Sequence, residues 1–130
     1  MLTTLDQAMG SFQQALETLG MADEVMTFTA SDFGRTLRSN GRGSDHAWGG
    51  NAMVFGGKVD GGKIFGTYPD LALGGPEDVG RGGRFLPSTP VDKFFEPMLS
   101  WFGVPSNQMD YVLPNIANFS SLPAINFVKP

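Results

Sequence analysis

Most of the chain's 18 glycines fall between Gly34 and Gly83, and no long helix or strand is compatible with that density. Each glycine adds backbone freedom that folding must remove, so the middle of the chain is predicted to be turns and loops. Periodic apolar sequence is left to the flanks. At 130 residues the chain is expected to form a single domain, 1–130, around one core.

Composition narrows the partners. An apolar fraction of 41% argues against general disorder. A net charge of −4 and a pI near 4.7 argue against a nucleic-acid backbone as ligand. Arg35, Arg38 and Arg42 nevertheless bunch together, which makes a local anion site feasible on an acidic protein. There is no cysteine, so disulfides, thiolate nucleophiles and thiolate metal sites are excluded. No run of apolar residues is long enough to span a bilayer, and the first residues read as a helix rather than a signal peptide. As written, the chain is expected to stay in the cytoplasm.

Leu5, Ala8, Met9, Phe12, Leu16 and Leu19 recur at three- and four-residue spacing, which predicts a helix over 4–19 with one apolar stripe packed in the core. Thr4 and Gln7 resemble a capping box, and Gly20 is a natural stop. Residues 25–30 read as a short strand running into Ser31 and Asp32. Polar residues following a strand in this way suit an α/β arrangement, whose sites gather at strand carboxyl ends. Strands are also expected at 53–55 and 64–67, joined by a hairpin at Asp60-Gly61. The two Gly-Gly-Lys repeats at 56–58 and 61–63 lack the spacing of a phosphate loop and read as tight turns. Residues 68–88 read as loop. A second helix is predicted from Pro90 to about Phe102, capped by Thr89, irregular at Pro97 and ended by Gly103. Residues 113–119 read as a short turn or helix, and the apolar tail beyond them is expected to pack over a surface.

The residues that carry chemistry lie at 31–36 and 45–46. His46 is the only histidine, so any imidazole catalysis or nitrogen ligation passes through it. It lies in a segment, 40–50, that reads as a glycine-rich loop.

Phe28 to Thr36, the Gly-Ser-Asp-His-Ala-Trp-Gly-Gly run at 43–50, the 57–66 segment, Leu86 to Asp92 and Trp101 to Val104 follow one another in a recognisable order. Over about residues 2–120 the chain resembles the carboxy-terminal part of the bacterial sulfatase-like proteins known as domain of unknown function family 1501. These resemble the alkaline phosphatase and sulfatase superfamily. The resemblance implies an α/β fold, a partial α/β/α sandwich of the alkaline phosphatase-like type with a short sheet, two main helices and glycine-rich loops. It also implies a fragment of a larger fold whose full-length relatives are exported. Apolar surface left uncovered in such a fragment would favour a homo-oligomer.

In the superfamily a Ser-Asp-His-Gly run at a strand end supplies metal ligands. Here Ser31-Asp32-Phe33-Gly34 stands in that place, and Phe33 cannot ligate. The resemblance therefore implies Asp32, Asp45 and His46 as ligands of one divalent cation (zinc, calcium or magnesium) instead of a two-metal centre.

Three functions follow. The first is a metal-assisted hydrolase of phosphate, sulfate or related esters, or its remnant, with His46 and Asp45 catalytic. Arg35 and Arg42 would hold the small anionic substrate. The second is a metal-independent ester or lactone hydrolase with His46 as base, Asp45 or Asp32 orienting it, and Ser31 or Ser44 as nucleophile. No nucleophile-elbow motif supports it. The third is a non-catalytic binding or assembly module, in which Trp48, Tyr68, Phe55 and Phe65 offer stacking faces.

Overall fold

A computed structural model describes residues 2–130. The chain mixes helices with small antiparallel sheets, consistent with the α/β class. Its contacts separate into two compact units.

One unit contains the residues up to Thr29, Met53–Lys63 and Phe127–Pro130. Its helix α1, Leu2–Thr18, covers most of the span predicted. Because α1 already includes Thr4, that residue is not its cap. The stop at Gly20 is a Schellman turn: Gly20 has φ 70°, its N–H donates to the Glu17 carbonyl at 3.1 Å, and Met21 donates to Leu16 at 2.9 Å. The apolar stripe does not form a core. Only Leu16 is buried, while Leu5, Phe12 and Leu19 stay exposed, Leu19 at 69%. The sheet of this unit is too narrow to cover a helix face. It consists of β1, Met26–Phe28, paired antiparallel with β4, Val54–Gly56, with Met26 opposite Gly56 and Phe28 opposite Val54.

No strand forms at 64–67, and Asp60-Gly61 closes no hairpin. The backbone groups of 58–60 pair instead with the tail. Val59 bridges Val128, Asp60 N–H donates to Phe127 at 2.8 Å, and Lys129 N–H donates to Lys58 at 2.8 Å. The tail thereby finds partners for its polar backbone and buries Phe127, which its lack of periodicity concealed.

The other unit, Ala30–Ala52 and Ile64–Asn126, is built on a hairpin. Strand β2, Gly34–Ser39, pairs antiparallel with β3, Ser44–Ala47. His46 therefore lies on a strand and not in a loop. The turn between the strands contains Gly41 (φ 89°) and Gly43 (φ 155°), conformations that favour glycine. Gly34 allows a close backbone approach, since a Cβ there would lie 2.0 Å from the Gly49 carbonyl oxygen.

Residues 68–88 form turns and irregular backbone as expected, with one isolated bridge from Asp78 to Phe85. Helix α2, Val91–Phe102, follows the predicted span, with Pro97 inside it. Thr89 does not cap it. Pro90 occupies the cap position in extended conformation, and its carbonyl accepts from Phe94 N–H at 3.2 Å. Gly103 (φ 105°) ends the helix in a second Schellman turn, with Val104 N–H donating to Leu99 at 2.9 Å. Short helical turns at Ser106–Gln108, Met109–Val112 and Ile116–Phe119 complete the unit. Its buried apolar residues are Phe85, Met98, Met109 and Leu113.

Candidate functional site

The β2–β3 hairpin carries nearly every residue singled out from the sequence, and it distributes them over two faces. Successive side chains on a strand point to opposite sides. On one face Arg35 stands opposite His46. The His46 ring lies flat on Phe33, with centroids 3.8 Å apart and planes 12° apart, and the Arg35 guanidinium sits 5.0 Å from the Phe33 centroid. Arg35 also donates from Nη1 to the Ser44 carbonyl at 2.8 Å. Phe33 thus serves as the platform of a small stack.

Asp45 belongs to the other face. Its N–H donates to Thr36 Oγ1 at 3.0 Å, and its Oδ1 accepts from Asn40 Nδ2 at 2.7 Å. Asn40 Oδ1 in turn accepts the Arg42 N–H at 3.0 Å, so Asn40 and Asp45 organise the turn. Arg42 lies exposed on that turn, and Asp32 is exposed ahead of the hairpin.

The set Asp32, Asp45 and His46 does not fit a divalent cation. Neighbouring Asp45 and His46 point apart, and among the described residues no three acidic, histidine or cysteine groups gather to hold a metal. Neither Ser31 nor Ser44 is hydrogen-bonded to His46 through its hydroxyl among the described residues. The His46 ring makes no hydrogen bond among the described residues, and Ser31 Oγ donates to the Phe33 carbonyl at 3.0 Å. Of the aromatic residues proposed as stacking faces, Trp48 and Tyr68 are exposed, and Phe55 and Phe65 are half-buried.

On the Asp45 face the hairpin opens into a cleft of about 360 Å³. Thr36, Arg38, Ser39 and Asn40 line it from the hairpin, with Asp45, while Gly80, Gly82 and Arg84 close it from a loop. An irregularity in β2 between Arg35 and Ser39 explains the join. Unpaired with β3 there, Leu37 and Arg38 turn their N–H groups to the Gly83 and Gly82 carbonyls, at 3.3 and 3.1 Å. Arg84 Nη2 donates to the His46 carbonyl at 3.3 Å.

Asp78, only 7% exposed, ties the loop together. Its carboxylate accepts the N–H groups of Gly74, Gly83 and Arg84, each at 2.9 Å. These bonds, Gly74 foremost and Gly82 contributing, hold its carboxyl below the ordinary aspartate value, although burial works against them. Between Gly80 and Gly82, Arg81 adopts φ 61°, a left-handed conformation that costs a non-glycine residue about 1 kcal/mol or more.

The sequence profile of the family described as "Protein of unknown function (DUF1501)" matches residues 1–81. This chain is a DUF1501 protein. No curated protein and no solved structure matches it significantly. The family match covers the whole hairpin and ends at Arg81, within the loop that closes the cleft, so Gly82 and Arg84 lie just beyond it. Sequence reading of this DUF1501 chain missed Asp78 and Arg84. Their signal was an aspartate set between Gly75 and Gly80 and an arginine directly after Gly82-Gly83, in a stretch whose glycines read only as chain breakers.

Proposed function

We propose that this chain is a recognition and assembly segment of a sulfatase-like fold that binds a small anion without hydrolysing it. The split of Asp45 and His46 between the two faces of β3 carries this reading. It separates the groups that would have to act together in hydrolysis, and it leaves arginines on both faces to attract an anion. The sulfatase-like ancestry, with a partial α/β/α sandwich of the alkaline phosphatase type, rests on the ordered motifs from Phe28 to Val104. Assembly into a homo-oligomer rests on the apolar side chains that α1 leaves exposed.

A second reading, a hydrolase of phosphate or sulfate esters, draws on one observation. Arg35 stands directly across from His46, so a guanidinium and an imidazole share a face where an anionic ester could meet both. The divalent cation such chemistry uses would polarise the ester oxygen, and among the described residues no three acidic, histidine or cysteine groups converge to hold it.

One assay separates the two. The purified chain is incubated with chromogenic phosphate, sulfate and carboxylate esters, with and without divalent metal, beside His46→Ala. The expected outcome is no turnover that depends on His46. Metal-dependent turnover abolished in the variant would establish the hydrolase and remove the recognition reading.

A further inference from the structure

The cleft on the Asp45 face has a mixed lining that selects among anions. The Arg38 side chain has no hydrogen-bond partner among the described residues, and Arg84 commits one amino group to the His46 carbonyl. Two guanidiniums therefore retain donors in one small cleft on a chain of net charge −4. Asp45 is the single carboxylate lining that cleft, and Asn40 satisfies only one of its oxygens. The other oxygen accepts hydrogen bonds and repels negative charge. A bare dianion would meet both the arginines and Asp45. A ligand with one anionic group and neighbouring hydroxyls would satisfy all three. Ser39 Oγ, which accepts the Gly41 N–H at 3.1 Å, still has its own hydrogen to donate.

Size and rigidity agree with this. About 360 Å³ lies at the small end of ligand sites and suits a single sugar ring. The walls are held before any ligand arrives. Arg38 is anchored through its backbone to Gly82, and Arg84 is anchored through its N–H to the Asp78 carboxylate.

We propose that this cleft binds a small hydroxylated anion of monosaccharide size, a sugar bearing one carboxylate, sulfate or phosphate group. Arg38 and Arg84 take the anionic group, and Asp45 with Ser39 takes the hydroxyls. The proposal deepens the recognition reading above and rests on it.

Calorimetric titration of the whole chain tests it with five probes: glucuronate, glucose 6-sulfate, glucose 6-phosphate, neutral glucose and inorganic sulfate. At least one sugar anion should bind about tenfold or more tightly than glucose and inorganic sulfate, and the strongest of the three names the anionic group. Arg38→Gln should weaken that binding about tenfold or more, whereas Lys63→Gln, an equal charge change at a residue that does not line the cleft, should leave it unaltered. Asp45→Asn should narrow the preference over inorganic sulfate.

Absence of binding by all three sugar anions would overturn the proposal. So would equal affinity in wild type and a folded Arg38→Gln protein, with circular dichroism reporting the fold. Inorganic sulfate binding as tightly as the sugar anions would overturn it as well. Such failures remove the cleft's ligand alone, whereas only His46-dependent turnover in the ester assay removes the recognition reading.

Discussion

Asp78 shows how one side chain can set the shape of a loop with no regular structure. It gathers three N–H groups, and only its charged form accepts from all of them well. Because its folded value is lowered, the stability it contributes is present above the ordinary aspartate range and is lost as pH falls through that lowered value. The protection factors of the Gly74, Gly83 and Arg84 amides, which correct for the intrinsic pH dependence of exchange, should therefore fall selectively on acidification. Asp78→Asn should show the same loss of protection at neutral pH, measured by NMR against the amides of α2. Unchanged protection in the variant would mean that the loop is held by other contacts. At this scale the sequence was partly legible. The chemistry of His46 and its neighbours stood out because imidazole occurs once. Which way each side chain points did not, since Asp45 and His46 separate only once β3 exists. Asp78 stood out little because a carboxylate that accepts backbone donors from its own loop leaves no periodic trace.

The same substitution should have opposite effects in two elements. Gly103 ends α2 at φ 105°, so Gly103→Ala forces a side chain into an unfavourable conformation and should destabilise the chain by about 1 kcal/mol. Gly10 lies inside α1, and a Cβ at that position would meet nothing within 4 Å, so Gly10→Ala should stabilise by about 0.5–1 kcal/mol. Urea titration distinguishes them as midpoints moving in opposite directions at a constant slope. Both helices were legible because their apolar spacing and terminal glycines agree. The β2–β3 hairpin was not. Its strands read Gly-Arg-Thr-Leu-Arg-Ser and Ser-Asp-His-Ala, with no apolar alternation to separate them from loop. The reverse error at 64–67 has a matching cause: Ile64 and Phe65 read as strand, but the backbone there is irregular, and Ile64 is 83% exposed.

For the molecule as a whole, the exposed side of α1 is the feature that most needs a partner. Leu2, Leu5, Met9, Phe12, Leu16 and Leu19 advance in alternating steps of three and four residues, the spacing with which one helix packs along another. Within the single chain only Leu16 of this series is buried, and Leu2 is 72% exposed. Water contact along such a stripe is unfavourable by roughly 25 cal/mol for each Å² that a second helix would cover, so association should begin at low concentration. Sedimentation velocity from low micromolar upward should show a coefficient that rises with concentration. Phe12→Glu places a charge in the middle of the stripe and should hold the chain as a monomer, with far-ultraviolet circular dichroism unchanged because the position is already solvated. A concentration-independent monomer in the unmodified protein would remove assembly from the proposed role, while leaving anion recognition by the hairpin to be judged on its own titration.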